Sequence, residues 1–469
     1  MANPLGPRDS LPEVTLQRLI GLGGKRLARL LLDHADRDEA LAQRLRLLVA
    51  MNTGPDCLIA VADARIRDLA GDRDQINAVD SAQLAAGIDD LRRALAVDLV
   101  ARAPRTAADL LRGLVRTAGP VLERVDDGSG MVADAYVEVI AAWGRAWAAI
   151  ADRDPATVAA LVAEALRLVD AGLRSELVPA FREALGPNGL ALLRRLMLND
   201  LETLSAEEAA DQRMDAYALL QQIADALGDV DGFIQAVILC GEQEIRAPAV
   251  AERLLAAGRA VEALAWLDKA TDLSGGEPSN RSETVDLRIT ALQRLNRTDE
   301  AQATRWLWFA RTLSLAHFHA FIEALPESGR EPARRRGVAA AERHDDVSTA
   351  LSFLVVLREF EAAEGLILKR RGELDGRRYF ALEPLAEQLA AARPLAALLL
   401  YRVMAEAVLI AAQSKAYHHA ARYFRQAQRL ARAVADWRGQ ERHETFLARL
   451  RTAHPRKRGF WSEVSQNSS

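Results

Sequence analysis

The chain has 469 residues, a net charge of −4, 50% hydrophobic residues and only 5% aromatic ones. It is too long for a single growing core and too acidic to coat nucleic acid along its whole length. Its two cysteines, Cys57 and Cys240, are too few and too far apart for a disulfide framework, so a reducing, cytoplasmic setting is expected.

The opening stretch, residues 1–12, carries Pro4, Pro7 and Pro12 and no apolar signal core, and reads as a flexible lead. From there apolar residues recur at helical spacing: Val14, Leu19, Leu22, Leu27, Leu30 and Leu31, then Leu84, Ile88, Leu91, Leu95 and Leu99. Gly, Pro, Asn and Asp clusters punctuate these runs at Gly54-Pro55, Ala103-Pro104, Gly119-Pro120, Asp126 to Gly130, Gly186 to Gly189, Gly275 to Ser279 and Pro326 to Pro332. Strand-like alternation is nearly absent, and Ala and Leu outweigh the β-branched residues, so the fold is expected to be all-α. The richest apolar stretch, Pro394 to Ala412, is broken by Arg402 and Glu406 and is not a membrane span.

Turn-then-helix pieces recur in the second half, with turn positions at 228, 258, 296, 358 and 392, spaced 30, 38, 62 and 34 residues apart. A two-helix repeat of the tetratricopeptide kind has a period of about 34, with a small residue at the tight turn and Ala where the second helix crosses the first. The expected architecture is an N-terminal helical domain over 13–185 and a tetratricopeptide-like α-solenoid over 186–460, with a polar tail at 461–469. Such pairs bury their apolar faces only by stacking, which creates a curved surface suited to a partner.

Three segments, Leu22 to Leu31, Glu123 to Gly130 and His454 to Arg458, resemble those of a bacterial family of unknown function that is tetratricopeptide-like. The C-terminal part of that family is similar to the helical region that follows SWIM-type zinc fingers. The resemblance implies a fold and no activity. A SWIM finger needs a Cys-x-Cys pair followed by Cys-x-His, and neither occurs, so no zinc site is carried over.

Local motifs give bland readings. Gly21 to Lys25 lacks the Gly-x-x-x-x-Gly-Lys-Ser/Thr spacing of a phosphate loop and reads as a turn between helices. Asp126 to Gly130 with Asp134 lacks the calcium-loop spacing and reads as a helix cap. His317 and His319, and likewise His418 and His419, are expected to point to different faces; His344 beside Asp345 and Asp346 fits a helix cap. Cys240 is expected in the core, as are Trp306 and Trp308, with Tyr379 and Phe380 read the same way against the alternative of an exposed anchor. No catalytic constellation, metal site or cofactor site emerges, and the chain is expected not to be an enzyme.

The C-terminal stretch stands apart. From Lys415 to Phe460, twelve Lys or Arg face three acids, a local net of +9 in a chain of −4. Helical spacing sets Tyr417, Ala420, Phe424, Ala427, Ala431 and Val434 on one face and Arg422, Arg425, Arg429 and Arg432 opposite, followed by Arg456, Lys457 and Arg458. One reading is a polar cap on the stack with Phe460 and Trp461 docked as a clasp; another is a surface for phosphate or an acidic partner; a third is neutralisation of the acidic remainder of the solenoid, or of a second copy. A protein or peptide in the solenoid groove is the expected partner, with nucleic acid on the basic C-terminus as the alternative.

Overall fold

The computed structural model describes residues 15–169, 171–203, 209–273, 281–411 and 414–465. The expected lead at 1–12 and the turn at Gly275 to Ser279 lie outside them. Among the described residues the chain is helical throughout, with one isolated bridge between Ile76 and Val125 and no strand. No helix there is long and apolar enough to cross a membrane. The chain divides into two compact units, Met1–Arg246 and Ala247–Ser469. The expected change of architecture at 185/186 falls inside the first unit, where Gly186 (φ 57°) kinks the helix Leu177–Thr203 while Leu185 and Leu190 on either side stay in one core.

In the first unit, prolines open the helices Pro55–Gly71, Pro104–Val115 and Pro155–Leu168, where a missing N–H costs nothing. The third is also capped by the Asp154 carboxylate, which accepts from the amides of Ala156 and Thr157. The motif at Asp126 to Gly130 is a cap as expected: Asp127 accepts from the amides of Val132 and Ala133 at the start of Met131–Ala148. That helix is the centre of the unit. Its Trp143 meets Phe181 edge-on at 4.7 Å, and its Tyr136 shares a 2.7 Å hydroxyl bond with Thr117. Gly144 lets the backbone of Leu177–Thr203 approach so closely that a Cβ would lie 2.0 Å from the Ala180 carbonyl oxygen.

The repeat signal has a common backbone cause. Gly228, Gly258, Asn296 and Arg358 have φ of 68°, 77°, 56° and 60°. After each, the next amide reaches five residues back: Asp229 to Ala224 (2.9 Å), Arg259 to Leu254 (2.8 Å), Arg297 to Leu292 (2.9 Å) and Glu359 to Leu354 (2.9 Å). This is one left-handed helix terminus used four times, and it reverses the chain within two residues. Ala263, Ala301 and Ala363 then occupy the fifth position after the turn and are fully buried where helices cross. The long interval from 296 to 358 holds an extra helix pair, Leu315–Glu323 and Glu327–Arg343, turned at Leu325-Pro326. At 392 the turn differs: Arg393 has a negative φ (−139°) and Pro394 opens the helix Pro394–Ile410.

In the second unit most helices pack on a chain neighbour. Several also reach the next but one, as Thr298–Thr312 does Glu327–Arg343 and Phe360–Arg370 does Pro394–Ile410. That connectivity makes the fold an all-α helical repeat. Phe309, Phe318 and Phe353 form its aromatic centre, with ring centroids 4.6 to 5.2 Å apart. Trp306 packs against that core and Trp308 is buried beside His317, each under an arginine: Arg336 lies 3.7 Å from the Trp306 ring and Arg311 lies 4.5 Å from that of Trp308. Cys240, expected in the core, is only half-buried at the end of Val230–Cys240, its Sγ 3.5 Å from Met214 Sδ.

Candidate functional site

The C-terminal helices hold their positions through a small second core of Leu409, Phe424, Phe446, Leu450 and Phe460. The helix Tyr417–Ala431 turns Ala420, Ala421, Tyr423, Phe424, Ala427 and Leu430 inward. Its other face carries the arginine stripe, because steps of 3, 4 and 3 residues from Arg422 to Arg432 return to one side of a helix. The clasp is present too, and the helix Arg458–Ser465 reaches into the expected polar tail: Phe460 is buried, and the Trp461 indole donates to the His454 carbonyl at 2.9 Å.

The basic residues of this end have separate roles. Arg422 forms a 2.7 Å ion pair with Glu383, which also accepts from the Tyr423 hydroxyl. Arg425 donates to the Glu463 carbonyl at 3.2 Å and so fastens the last helix. Lys457 lies 5.3 Å above the Tyr417 ring. The side chains of Arg429, Arg432, Arg456 and Arg458 are exposed and have no hydrogen-bond or ion-pair partner among the described residues. Intramolecular neutralisation therefore accounts for part of the charge and leaves these four guanidinium groups, among others, open.

Beside this basic face lie two rings expected in the core that are instead exposed. Tyr379 and Phe380, in the first turn of Tyr379–Leu389, are 47% and 70% exposed. Their rings meet edge-on at 6.2 Å; Tyr379 stacks on His419 at 6.3 Å; and His419 meets His418 at 3.9 Å. The two histidines, expected to diverge, touch because both lie on the open side of their helix, where nothing separates neighbouring rings. Burial first, then His418 and Arg422, holds the His419 pKa below its ordinary value. Four rings in series, bordered by Arg422, thus form an exposed strip next to cations.

Beneath the surface lies a polar cluster. Arg402, 4% exposed in the middle of the helix Pro394–Ile410, donates to the Glu441 carbonyl at 2.7 Å and lies 4.3 Å from the Phe446 ring. Its Nε and Nη2, and both nitrogens of His443, have no partner. Arg449 bridges Glu406 (2.6 Å) and Glu441 (3.1 Å) and pins the helix His443–Ala453 over them.

The remaining histidines act locally. His317 is buried between Ser314 and Asp286, both at 3.1 Å, while His319 is exposed, as expected for positions two apart. His344 closes one helix end and accepts from the Asp346 amide, and Asp346 caps the next helix. Among the described residues no three His, Cys, Asp or Glu converge as metal ligands.

The chain belongs to DUF6880, a family of unknown function. The match spans residues 12–463, nearly the whole chain. No curated protein matches it. Among solved structures it is similar to a circular tandem repeat protein with novel repeat topology and enhanced subunit contact surfaces. The identity is 15%, over 94% of this chain and 99% of that one, with a TM-score of 0.18.

Proposed function

We propose that the chain is a non-enzymatic, cytoplasmic interaction protein whose second unit holds a protein or peptide partner. The observation that carries the reading is the exposed series Phe380, Tyr379, His419 and His418 beside Arg422. Exposed aromatic rings supply large contact area at little conformational cost, and adjacent cations select the charge of what docks. On this reading the chain is bacterial, and its C-terminal helices correspond to those that follow SWIM fingers, without a finger of their own.

A second reading is favoured by one separate observation: Arg429, Arg432, Arg456 and Arg458 have no acceptor of their own, as expected of groups that meet phosphate. Nucleic acid would then stack on the same rings. Anisotropy with labelled single- and double-stranded DNA and RNA across a salt series separates the two. Salt-sensitive binding lost when these four arginines become Ala supports the nucleic-acid reading. Absence of binding at low salt eliminates it and leaves the protein partner.

A further inference from the structure

The first unit contains a cleft of about 1390 Å³, walled by the helices Glu39–Thr53, Pro55–Gly71 and Ala78–Arg93. Small-molecule pockets span roughly 300–1,000 Å³, so this one suits a longer occupant. Its floor is apolar, with Leu47, Leu69 and Leu91 buried beneath it.

The wall charges are nearly balanced in number but not in satisfaction. Asp38 accepts from the Leu41 amide (3.1 Å) and from Gln83 (3.3 Å). Glu39 pairs with Arg46 at 2.9 Å, Asp90 with Arg44 at 3.2 Å and Asp72 with Arg124 at 3.1 Å, and Asp80 accepts from Asn77 at 2.9 Å. Of the lining acids only the exposed Asp68 has no hydrogen-bond donor. Of the lining cations, Arg44, Arg46 and Arg124 are held in those pairs and Arg67 pairs with Asp63 at 3.0 Å; two are left over. Arg37 and the half-buried Arg65 have no acceptor among the described residues, and Arg124, 5% exposed, has a buried Nε without a partner. Burial pushes the Arg65 pKa below its ordinary value against the opposing pull of Asp68, Glu39 and Asp72.

A half-buried guanidinium without a hydrogen-bond acceptor opposes folding, because the nearby carboxylates of Asp68, Glu39 and Asp72 replace the lost water only in part. Its presence makes sense when a ligand completes the site. We propose that the cleft binds an extended peptide segment bearing a carboxylate, which Arg65 takes as a two-pronged acceptor while neighbouring apolar side chains settle on the leucine floor. The apolar floor and the size of the cleft favour a peptide over a free inorganic anion. This site is separate from the ring series of the second unit, and either can fail without the other.

The test is fluorescence anisotropy of the full chain with a labelled peptide of alternating leucine and glutamate, beside the same peptide with lysine for glutamate. The expected result is binding of the glutamate peptide alone, weakened about tenfold or more by Arg65→Met, with unfolding temperature unchanged or raised because an unpaired charge is gone. Phe380→Ala leaves this binding intact. Equal affinity of wild type and Arg65→Met, preference for the lysine peptide, or a lowered unfolding temperature in Arg65→Met would each overturn the proposal. Full competition by inorganic phosphate would also overturn it and make the cleft a simple anion site.

Discussion

The rings of Tyr379 and His419 lie 16° from parallel with centroids 6.3 Å apart, joining the first turn of one helix to the open side of another. Neither ring is needed to fill a core. Phe380, 70% exposed beside them, is the clearest case. Phe380→Ala is expected to change stability by no more than about 0.5 kcal/mol. Affinity for the partner should fall by about 1–3 kcal/mol. Chemical unfolding paired with a binding assay separates the two effects, and a loss of stability equal to the loss of affinity would make the ring structural.

Histidine 443 gives the protein an acid-sensitive element. Burial first, then the neighbouring Arg402 guanidinium, pushes its pKa from 6.5 to about 4. Between those values the unfolded chain takes up a proton that the folded chain refuses. The contribution is thus fully present above about pH 6.5 and is lost as pH falls toward 4, with a ceiling of about 3 kcal/mol. Urea unfolding at pH 7.5 and pH 4.5 should show the loss in the wild type and a smaller one in His443→Phe. Identical losses in both would contradict the assignment.

Two glycines should respond to alanine in opposite directions. A Cβ at Gly144 would sit 2.0 Å from the Ala180 carbonyl oxygen, forcing two helices apart, whereas one at Gly365 meets nothing within 4 Å. Gly144→Ala is expected to cost about 1–3 kcal/mol or more. Gly365→Ala, in the helix Phe360–Arg370, should gain about 0.5–1 kcal/mol. Thermal unfolding of the pair checks both signs.

The four left-handed turns make a related prediction. Arg358 holds φ 60° with a full side chain where Gly258 holds 77° without one. Arg358→Gly should stabilise by up to about 1 kcal/mol, and Gly258→Ala should destabilise by a similar amount. Equal effects of one sign would show that the turns do not share a backbone cause.

What the sequence disclosed, and what it withheld, divides along local and non-local lines. Gly228, Gly258 and Asn296 are residue types that tolerate a left-handed turn, so their spacing exposed the repeat; Arg358 has no such signature and was found only by register. The stripe from Arg422 to Arg432 was legible because one helix's own periodicity places it. Which of those arginines are occupied was not, since Glu383 and the Glu463 carbonyl reach them from elsewhere in the chain. The exposure of Tyr379 and Phe380, the contact of His418 with His419, and the buried Arg402 beside His443 are likewise consequences of packing. The cleft around Arg65 depends on which acids find partners, and spacing carries no trace of that.

The central claim is that the exposed ring series of the second unit is a partner surface. Its most direct test is quantitative capture of partners from the native cell by the full chain and by a Tyr379→Ala/Phe380→Ala variant of equal stability, followed by reconstitution with the purified candidate. The account predicts a protein that binds the wild type directly and is depleted about tenfold or more on the variant. An identical set of bound proteins on both, with equal affinities on reconstitution, would contradict it.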